Sequence, residues 1–188
     1  MKKIISLFKR DYEGDHLVYD EIVEGAEWVV KGEGIATQKF DGTCCMVKDD
    51  KLFKRYDCKN GKIPPNNFIP TQEPDEITGH WPGWVPVKEN NPADKYFIEG
   101  YKNTIIKIGK VENGTYELCG EKINKNPEGF NENILIPHGN TKLEAPRTYN
   151  ELKEWFKGRD MEGIVWHHPD GRMVKIKKRD FGLKRKEA

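Results

Sequence analysis

The string Lys39-Phe40-Asp41-Gly42 places a primary amine, a carboxylate and a glycine within four residues. The apolar run Cys44-Cys45-Met46-Val47 follows at once and is typical of a short strand. A glycine lets backbone come close to a ligand because it has no Cβ, and the carboxylate can orient water or a metal ion near the amine. The order of these residues therefore predicts a reactive lysine at the mouth of a strand.

Four later blocks could supply partners for this amine. They combine basic residues or glutamates with apolar and aromatic neighbours, and they follow the lysine in order. The blocks are Lys54-Arg55-Tyr56, Tyr116-Glu117-Leu118-Cys119-Gly120, Glu162-Gly163-Ile164-Val165-Trp166 and Lys175-Ile176-Lys177. A K-x-D-G string alone recurs by chance, whereas the ordered set is a specific signal.

The last two blocks are predicted to form a β-hairpin around the turn Pro169-Asp170-Gly171. With an even number of loop residues, Glu162 lies opposite Lys177, and Lys175 shares the same face of the sheet. A type I turn with a glycine bulge, which the same turn residues permit, reverses that parity. The register of the hairpin therefore stays open between these two alternatives.

Strands are expected to outnumber helices, which predicts an α+β fold with antiparallel sheets. The short apolar runs that favour strands are Thr43–Val47, Lys51–Tyr56, Thr104–Ile108, Thr115–Cys119 and Gly163–Trp166. A helix is expected after Thr148, because Thr148-Tyr149-Asn150-Glu151 fits a capping box and Leu152, Trp155 and Phe156 share one face. A weaker helical pattern covers residues 19–30.

Composition bounds the class of protein. The 188 residues predict a single domain over positions 1–188, with a proline-rich, irregular loop over 60–95 of the kind that often forms lids or binding loops. No apolar run approaches the roughly 20 residues that span a bilayer, so no membrane segment is expected. The four cysteines lack the spacing of a zinc site, which favours reduced thiols in a cytoplasmic protein.

Charge is unevenly distributed along the chain, although the net charge is only +1. Residues 169–188 carry eight Lys/Arg against three Asp/Glu, whereas residues 71–100 carry two against six. A basic segment on a near-neutral protein indicates an anionic partner such as phosphate or nucleic acid. A solvated tail at Lys184 to Lys186 is the alternative.

The five blocks resemble those of the covalent nucleotidyltransferase superfamily, which contains ligases and RNA-capping enzymes. The resemblance is closer to one branch, the vertebrate ATP-dependent 5′-to-3′ RNA ligase and its relatives, and covers roughly residues 26–183. The strings that carry it are Gln38-Lys39-Phe40-Asp41-Gly42-Thr43-Cys44-Cys45, Pro82-Gly83-Trp84-Val85-Pro86-Val87, Leu135-Ile136-Pro137-His138-Gly139 and Met161-Glu162-Gly163-Ile164-Val165-Trp166-His167.

This resemblance implies a ligase-type nucleotidyltransferase domain, with antiparallel sheets flanked by helices, and a three-step RNA repair reaction. Lys39 attacks the α-phosphorus of ATP to form lysyl-AMP, AMP passes to the 5′-phosphate of an RNA end, and a 3′-hydroxyl displaces it. A lysine attacks only as the neutral amine, although the reference pKa of its side chain is about 10.4. Positive charge from Lys175 and Lys177, together with desolvation, is expected to favour the neutral form. The same two lysines are expected to bind ATP and to neutralise the charge that builds on its phosphates.

The resemblance also implies the roles of the remaining residues. Glu117 is expected to bond a ribose hydroxyl, and Arg55 to lie near the sugar and phosphates, where its fork suits oxyanions. Glu162 and Asp41 are candidate ligands for Mg²⁺ or Mn²⁺, because these ions prefer hard oxygen ligands. The implied partner is RNA with 5′-phosphate and 3′-hydroxyl ends, and the protein is expected to be a monomer.

Two alternatives stay open at this stage. A DNA ligase or a GTP-using capping enzyme would share the superfamily chemistry, but the chain ends eleven residues after Lys177, which leaves no room for a separate C-terminal domain. The expected absence of that domain argues against a capping enzyme. A nucleotide- or RNA-binding module without catalysis is the other alternative, and the presence of Lys39, Glu117, Glu162 and Lys175 argues against it.

Overall fold

The computed structural model describes residues 2–185. The predicted basic tail therefore falls partly, at Lys186, outside the described residues. Twelve strands occur between residues 2 and 185: β1 (Ile5–Ser6), β2 (Phe8–Arg10), β3 (Val18–Ile22), β4 (Ile35–Lys39), β5 (Thr43–Lys48), β6 (Lys51–Cys58), β7 (Ile69–Pro70), β8 (Trp81–Pro86), β9 (Gly114–Cys119), β10 (Ile134–Pro137), β11 (Gly163–His167) and β12 (Met173–Lys177). The α-helices of the same part are α1 (Glu27–Val30), α2 (Lys95–Ile108) and α3 (Tyr149–Phe156), and two 3₁₀ turns cover Pro92–Asp94 and Lys178–Phe181.

The chain divides into two compact units, which are described separately here. The six-stranded unit contains residues 2–3 and Asp41–His138, and the four-stranded unit contains Ile4–Phe40 and residues 139–185. The chain therefore leaves the four-stranded unit after Phe40, one residue beyond Lys39, and returns to it after His138. The prediction of one adenylyltransferase domain over 1–188 concerns the whole chain and stays a prediction.

The six-stranded unit is built on one antiparallel sheet. Across the sheet its strands follow the order β10, β9, β5, β6, β8 and β7, and helix α2 packs against β10 and β9. Apolar side chains alternate along the central strands, so that one face forms a core, as the period of a half-buried strand requires. This core contains Cys45, Val47, Leu52, Val111, Tyr116, Leu118, Ile123 and Leu135.

The four-stranded unit contains the sheet β1–β12–β11–β4 and the small antiparallel pair β2–β3. Strand β1 is parallel to β12, and the other pairs of the larger sheet are antiparallel. Helix α3 contributes Leu152 and Phe156, which are fully buried in the core of this unit. The predicted α+β class with antiparallel sheets is confirmed, as is the helix after Thr148. The predicted capping box is not formed, because the Thr148 hydroxyl donates to the Glu151 carboxylate at 2.6 Å and caps no backbone N–H.

Of the two hairpin registers that the sequence leaves open, the structure has the one with an odd number of loop residues. Gly163, and not Glu162, lies opposite Lys177, and Val165 lies opposite Lys175. Five residues connect His167 to Met173, so the loop is odd and the alternative parity applies. Turn residues of this kind permit both loop lengths, and the sequence pattern alone could not choose between them.

Two further predicted elements differ from the structure. Residues 19–30 were expected to be one helix, but they contain β3 and the one-turn helix α1, because β3 pairs with β2 and a positive-φ glycine, Gly25, intervenes. The run Thr104–Ile108 is the end of α2 and not a strand. The hydroxyl of Thr104 bonds the Gly100 carbonyl at 2.6 Å and accepts from the Leu135 amide at 2.9 Å, so tertiary contacts override the β-propensity of this run.

The segment 60–95, predicted to be an irregular loop, contains β7, β8 and a 3₁₀ turn. Proline is tolerated in β8 because the side of the strand on which Pro82 lacks an N–H faces the edge of the sheet. The carbonyl of Pro82 accepts a bond from Thr71 on the β7 side, and in an antiparallel strand the N–H of a residue points to the same side as its carbonyl. Since β7 is only two residues long, that side of β8 lies near the edge of the sheet, where proline is tolerated.

None of the helices within residues 2–185 combines the length and the apolar content needed to cross a bilayer. The longest of them, α2, has 14 residues.

Gly163 is required by the close approach of β11 and β12. A Cβ at this position would collide with the carbonyl oxygen of Ile176 and would lie 2.9 Å from the Cα of Lys177. We therefore expect Gly163→Ala to lower the free energy of unfolding by about 2 kcal/mol or more, because backbone atoms must move to make space. Urea denaturation measures this change.

The matched control is Gly114→Ala, at the first residue of β9. There the nearest atom to a new Cβ is a ring carbon of Tyr116 at 3.6 Å, which is an ordinary contact. This variant should change stability by no more than about 0.5 kcal/mol. Equal effects of the two substitutions would contradict the steric explanation.

Candidate active site

Three lysines share one face of the four-stranded sheet. In one cross-strand row Lys39 of β4, Gly163 of β11 and Lys177 of β12 are direct neighbours. Two residues further along the strands, and therefore on the same side of the sheet, Lys175 is paired with Val165. Residues directly opposite each other point to the same side of a sheet, so the side chains of the three lysines converge on that side.

The carboxylate of Glu162 bridges two of these lysines. Its Oε2 accepts from Nζ of Lys39 at 2.6 Å and its Oε1 accepts from Nζ of Lys177 at 2.9 Å. The side chains are largely shielded, with exposed fractions of 12% for Glu162, 21% for Lys39 and 18% for Lys177. Burial opposes ionisation of Glu162, but the two ammonium groups outweigh it and hold the pKa of this carboxyl below its usual value.

Lys175 is the third cation of this face. Burial, followed by the positive charges of Lys177 and Lys39, lowers its pKa from the ordinary value of 10.5 to about 8. Asp180 and Glu162 act in the opposite direction but do not compensate. The face therefore carries an excess of positive charge that an anionic ligand would neutralise.

Buried groups behind this face fix the backbone at the end of β12. The backbone N–H of Lys177 donates to Oδ2 of Asp180 at 2.9 Å, and Arg10 donates to Oδ1 of the same carboxylate at 2.5 Å. Lys178 is almost fully buried, and its Nζ bonds the carbonyl oxygens of Arg159 and Arg185. Sequence reasoning missed these residues, and the only available signal was the dense charge pattern around Lys177.

In the six-stranded unit, Glu117 of β9 and Cys44 of β5 are cross-strand neighbours. His138 follows β10, and its Nε2 lies 2.8 Å from Oε2 of Glu117. The other carboxylate oxygen, Oε1, accepts from the backbone N–H of Gly42 at 3.2 Å. A Cβ at Gly42 would collide with the carbonyl of Leu118, so the glycine permits close approach to β9.

Asp41 is held by a loop that sequence reasoning did not connect with it. Its Oδ1 accepts from the amide of Asn124 at 3.1 Å, and its backbone N–H donates to Glu128 at 2.7 Å. The residues Asn124, Lys125 and Asn126 all have positive φ, which asparagine tolerates better than most residues. The string Asn124-Lys125-Asn126-Pro127 was therefore the signal of an unusual loop at this point.

Arg55 of β6 is paired with Trp84 of β8, and its guanidinium lies 5.2 Å from the centre of that ring. Burial lowers the pKa of Arg55, while the charge interactions with Cys44 and Asp57 oppose that change. Arg55 thus lies beside the Cys44–Glu117 pair on the same sheet. Cys45 is buried in the core, whereas Cys44 lies on the opposite face of β5 and is partly exposed.

The structure therefore groups the predicted site residues within each unit. The four-stranded unit brings together the predicted nucleophile, one predicted metal ligand and two predicted phosphate ligands, namely Lys39, Glu162, Lys175 and Lys177. The six-stranded unit holds the remaining predicted residues, Asp41, Arg55 and Glu117. The first group is a cationic cluster around one carboxylate, which is suited to bind phosphate oxygens.

The lowered pKa of Lys175 predicts how stability depends on pH. Between about pH 8 and 10.5 the unfolded chain binds this proton and the folded protein does not. The free energy of unfolding therefore rises with pH across that window, because the penalty for a charged Lys175 is relieved. Below about pH 8 Lys175 is charged in both states, and its unfavourable contribution to the free energy of unfolding is complete. We expect Lys175→Met to raise the free energy of unfolding at pH 7, by up to about 3 kcal/mol, and to have little effect near pH 10.5.

Urea denaturation of both proteins at several pH values measures this difference. The control is Lys31→Met, which removes a lysine charge at an exposed position of the same unit. A stabilisation by Lys175→Met that is equal at pH 7 and pH 10.5 would rule out the electrostatic explanation.

Comparison with known proteins identifies the relatives of this chain. The family model RNA ligase 1 matches residues 99–188, a range that contains Glu117, Glu162, Lys175 and Lys177. RNA ligase 1 of Pongo abelii is 28% identical over 222 aligned positions, which cover 79% of this chain and 67% of that protein. RNA ligase 1 of Rattus norvegicus and of Danio rerio are each 28% identical over 223 positions, with the same coverage. The chain is thus similar to the vertebrate RNA ligase 1 proteins, the branch that its ordered motifs resemble.

Proposed function

We propose that this protein is an ATP-dependent RNA ligase that joins 5′-phosphate and 3′-hydroxyl RNA ends through a lysyl-AMP intermediate. The observation that carries the proposal is the cluster of Lys39, Lys175 and Lys177 around the carboxylate of Glu162. The cluster lies in a chain whose relatives are named RNA ligase 1. An amine that can attack phosphorus and two further cations beside it are the groups that nucleotidyl transfer needs.

The first step forms a bond between Nζ of Lys39 and the α-phosphorus of ATP. The bond between that phosphorus and the bridging oxygen breaks, and pyrophosphate leaves with the electron pair. In the second step the 5′-phosphate of RNA takes AMP from the lysine, which regenerates the amine. In the third step the 3′-hydroxyl attacks the activated phosphorus, a phosphodiester forms, and AMP leaves.

The ion pair between Lys39 and Glu162 must open before the first step. In that pair a proton of Nζ is directed at Oε2, at 2.6 Å, whereas attack requires a lone pair on nitrogen. Phosphate oxygens bound by Lys175 and Lys177 would compete with Glu162 for these cations. The entering nucleotide therefore weakens the contacts that hold the carboxylate against Lys39.

Two residues of the six-stranded unit are proposed to take part in nucleotide recognition. Glu117 is the proposed ribose ligand, as the family resemblance implies, and Oε1 is already oriented by the Gly42 amide. Arg55 is the proposed ligand of the sugar–phosphate portion, and its ring contact with Trp84 restricts the guanidinium.

Magnesium or manganese is expected to assist by neutralising the phosphate charge. Glu162 and Asp41 remain the predicted ligands, but neither fits the ion without rearrangement. Both carboxylate oxygens of Glu162 accept from lysines, and Oδ1 of Asp41 accepts from Asn124.

Covalent labelling tests the proposal. The protein is incubated with Mg²⁺ or Mn²⁺ and ATP labelled at the α-phosphorus, then denatured and separated from free nucleotide. We expect label on the wild-type protein and a loss of about 10³-fold or more in Lys39→Arg, because arginine preserves the positive charge but is not a nucleophile. Lys31→Arg, at an exposed position, should be labelled normally.

Absence of label with both metal ions, or equal label on Lys39→Arg, would refute the lysyl-AMP proposal. Parallel reactions with α-labelled GTP separate an RNA ligase from a capping-type enzyme. Sealing of 5′-phosphorylated RNA, compared with sealing of nicked DNA, separates it from a DNA ligase.

RNA binding is expected to involve the exposed part of the basic segment. Within it Arg172 pairs with Asp170, and Lys178 is buried, whereas Arg179 and Lys184 are exposed. Phosphate contacts release counterions, so the double variant Arg179→Gln/Lys184→Gln should bind RNA more weakly. The slope of log K against log salt should become shallower by about 0.7 for each lost phosphate contact.

Fluorescence anisotropy with a labelled single-stranded RNA, at several salt concentrations, gives this slope. The control Lys31→Gln/Lys51→Gln changes the net charge equally at exposed positions outside the basic segment. If both double variants have the same slope, the basic segment is not a specific RNA contact.

A further inference from the structure

A second cluster of metal-binding side chain types lies in the six-stranded unit, apart from the predicted Mg²⁺ ligands. Sγ of Cys44, a carboxylate oxygen of Glu117 and a ring nitrogen of His138 all lie within 4.8 Å of one another. Donor atoms around one tetrahedral zinc ion are separated by about 3.3–3.8 Å, given the usual bond lengths. Small side chain rotations would therefore bring all three atoms to bonding distance of one ion.

Secondary structure holds each of the three side chains in place. Cys44 and Glu117 are directly opposite each other on the central strands β5 and β9. His138 is held next to Thr115 of β9, because its backbone N–H donates to the carbonyl of Thr115 at 3.1 Å. The ligands therefore come from a rigid sheet and not from a mobile loop.

The environment of His138 resembles that of metal-ligating histidines. Its Nδ1 lies 3.0 Å from the hydroxyl of Thr115, while Nε2 faces Glu117 at 2.8 Å. A bond from Nδ1–H to that hydroxyl would fix the ring orientation and leave the Nε2 lone pair for an ion. The side chains of His138 and Glu117 are 23% and 13% exposed, so the site is shielded but accessible.

The donor set selects the class of ion. Thiolate and imidazole are soft or borderline ligands that suit Zn²⁺ or Co²⁺, whereas Mg²⁺ prefers oxygen alone. Three protein ligands leave a fourth position for water or another ligand.

We propose that Cys44, Glu117 and His138 form a binding site for a thiophilic divalent ion such as Zn²⁺, and that this ion inhibits nucleotide binding. The inhibition rests on the proposed function, because it arises when the ion occupies the carboxylate assigned to the ribose. Binding of the ion itself rests only on the geometry of the cluster.

Cobalt spectroscopy tests the site without reference to catalysis. Addition of Co²⁺ to the reduced protein should produce a thiolate-to-cobalt charge-transfer band and the visible bands of a four-coordinate ion, and Zn²⁺ should remove both. Cys44→Ser should lose the charge-transfer band. The control Cys58→Ser, on the same sheet, should keep it, since Cys58 bonds the Lys62 carbonyl instead.

Absence of the charge-transfer band in the wild-type protein, or an equal band in Cys44→Ser, would overturn the proposal. Thr115 supplies a sharper comparison as the positioning residue. Thr115→Val should weaken Co²⁺ binding about 10- to 100-fold, whereas Thr115→Ser, which keeps the hydroxyl, should bind Co²⁺ normally. Equal affinities of these two variants would exclude the hydroxyl from the site.

The inhibitory role is tested by the initial rate of lysyl-AMP formation in the presence of Zn²⁺. We expect inhibition of the wild-type protein that excess ATP relieves, and weaker inhibition of Cys44→Ser. Equal inhibition of both proteins would overturn the inhibitory role. If cobalt binds as expected but no lysyl-AMP forms under any condition, the proposed function fails while the metal site stands.

Discussion

The carboxylate of Glu162 holds together the cationic face of the four-stranded unit. Two ammonium groups, those of Lys39 and Lys177, bond its two oxygens in a partly buried environment. Removing one member of such a buried ion pair typically costs about 3–5 kcal/mol, because the remaining charges are left unpaired. The neighbouring Gly163 makes this arrangement possible, since it has no side chain in the row between the two lysines.

The single negative charge of Glu162 does not neutralise three lysines, and Lys175 is the lysine whose charged form is disfavoured. The folded protein disfavours its charged form, as the pKa of about 8 indicates. An apolar residue at position 175 would serve stability better. Groups held in such unfavourable electrostatic environments cluster at functional sites, which favours a functional role for Lys175. The Asp180–Arg10 ion pair limits rearrangement of the lysines, because Asp180 also binds the backbone N–H of Lys177.

Local patterns predicted the elements but not the contacts between distant segments. Strands β5, β6, β9 and β11 and helix α3 follow from apolar runs and one capping box, which are properties of neighbouring residues. The hairpin register depended on one loop residue that the turn chemistry leaves undetermined. The run Thr104–Ile108 had β-branched residues but became helical, because Thr104 bonds Gly100 and Leu135.

The candidate site shows the same division. The sequence predicted that Lys39, Glu162 and Lys177 would converge, because ordered motifs identified them as a group. It could not predict that His138 would contact Glu117 or that Asn124 would bind Asp41. Those contacts join segments far apart in the chain, through strand order and through a loop with positive φ values that a single sequence does not specify.

The lysine face has different charge requirements before and after the proposed adenylylation. Before the reaction Lys39 is positive and occupies Oε2 of Glu162. Once Nζ is bonded to phosphorus it carries no charge, so this ion pair is lost and Oε2 becomes available to another cation or to a hydroxyl donor. Lys177 still neutralises Oε1, which keeps the carboxylate in place. The covalent step would therefore convert Glu162 from a partner of the nucleophile into an acceptor for the groups that enter in the later steps.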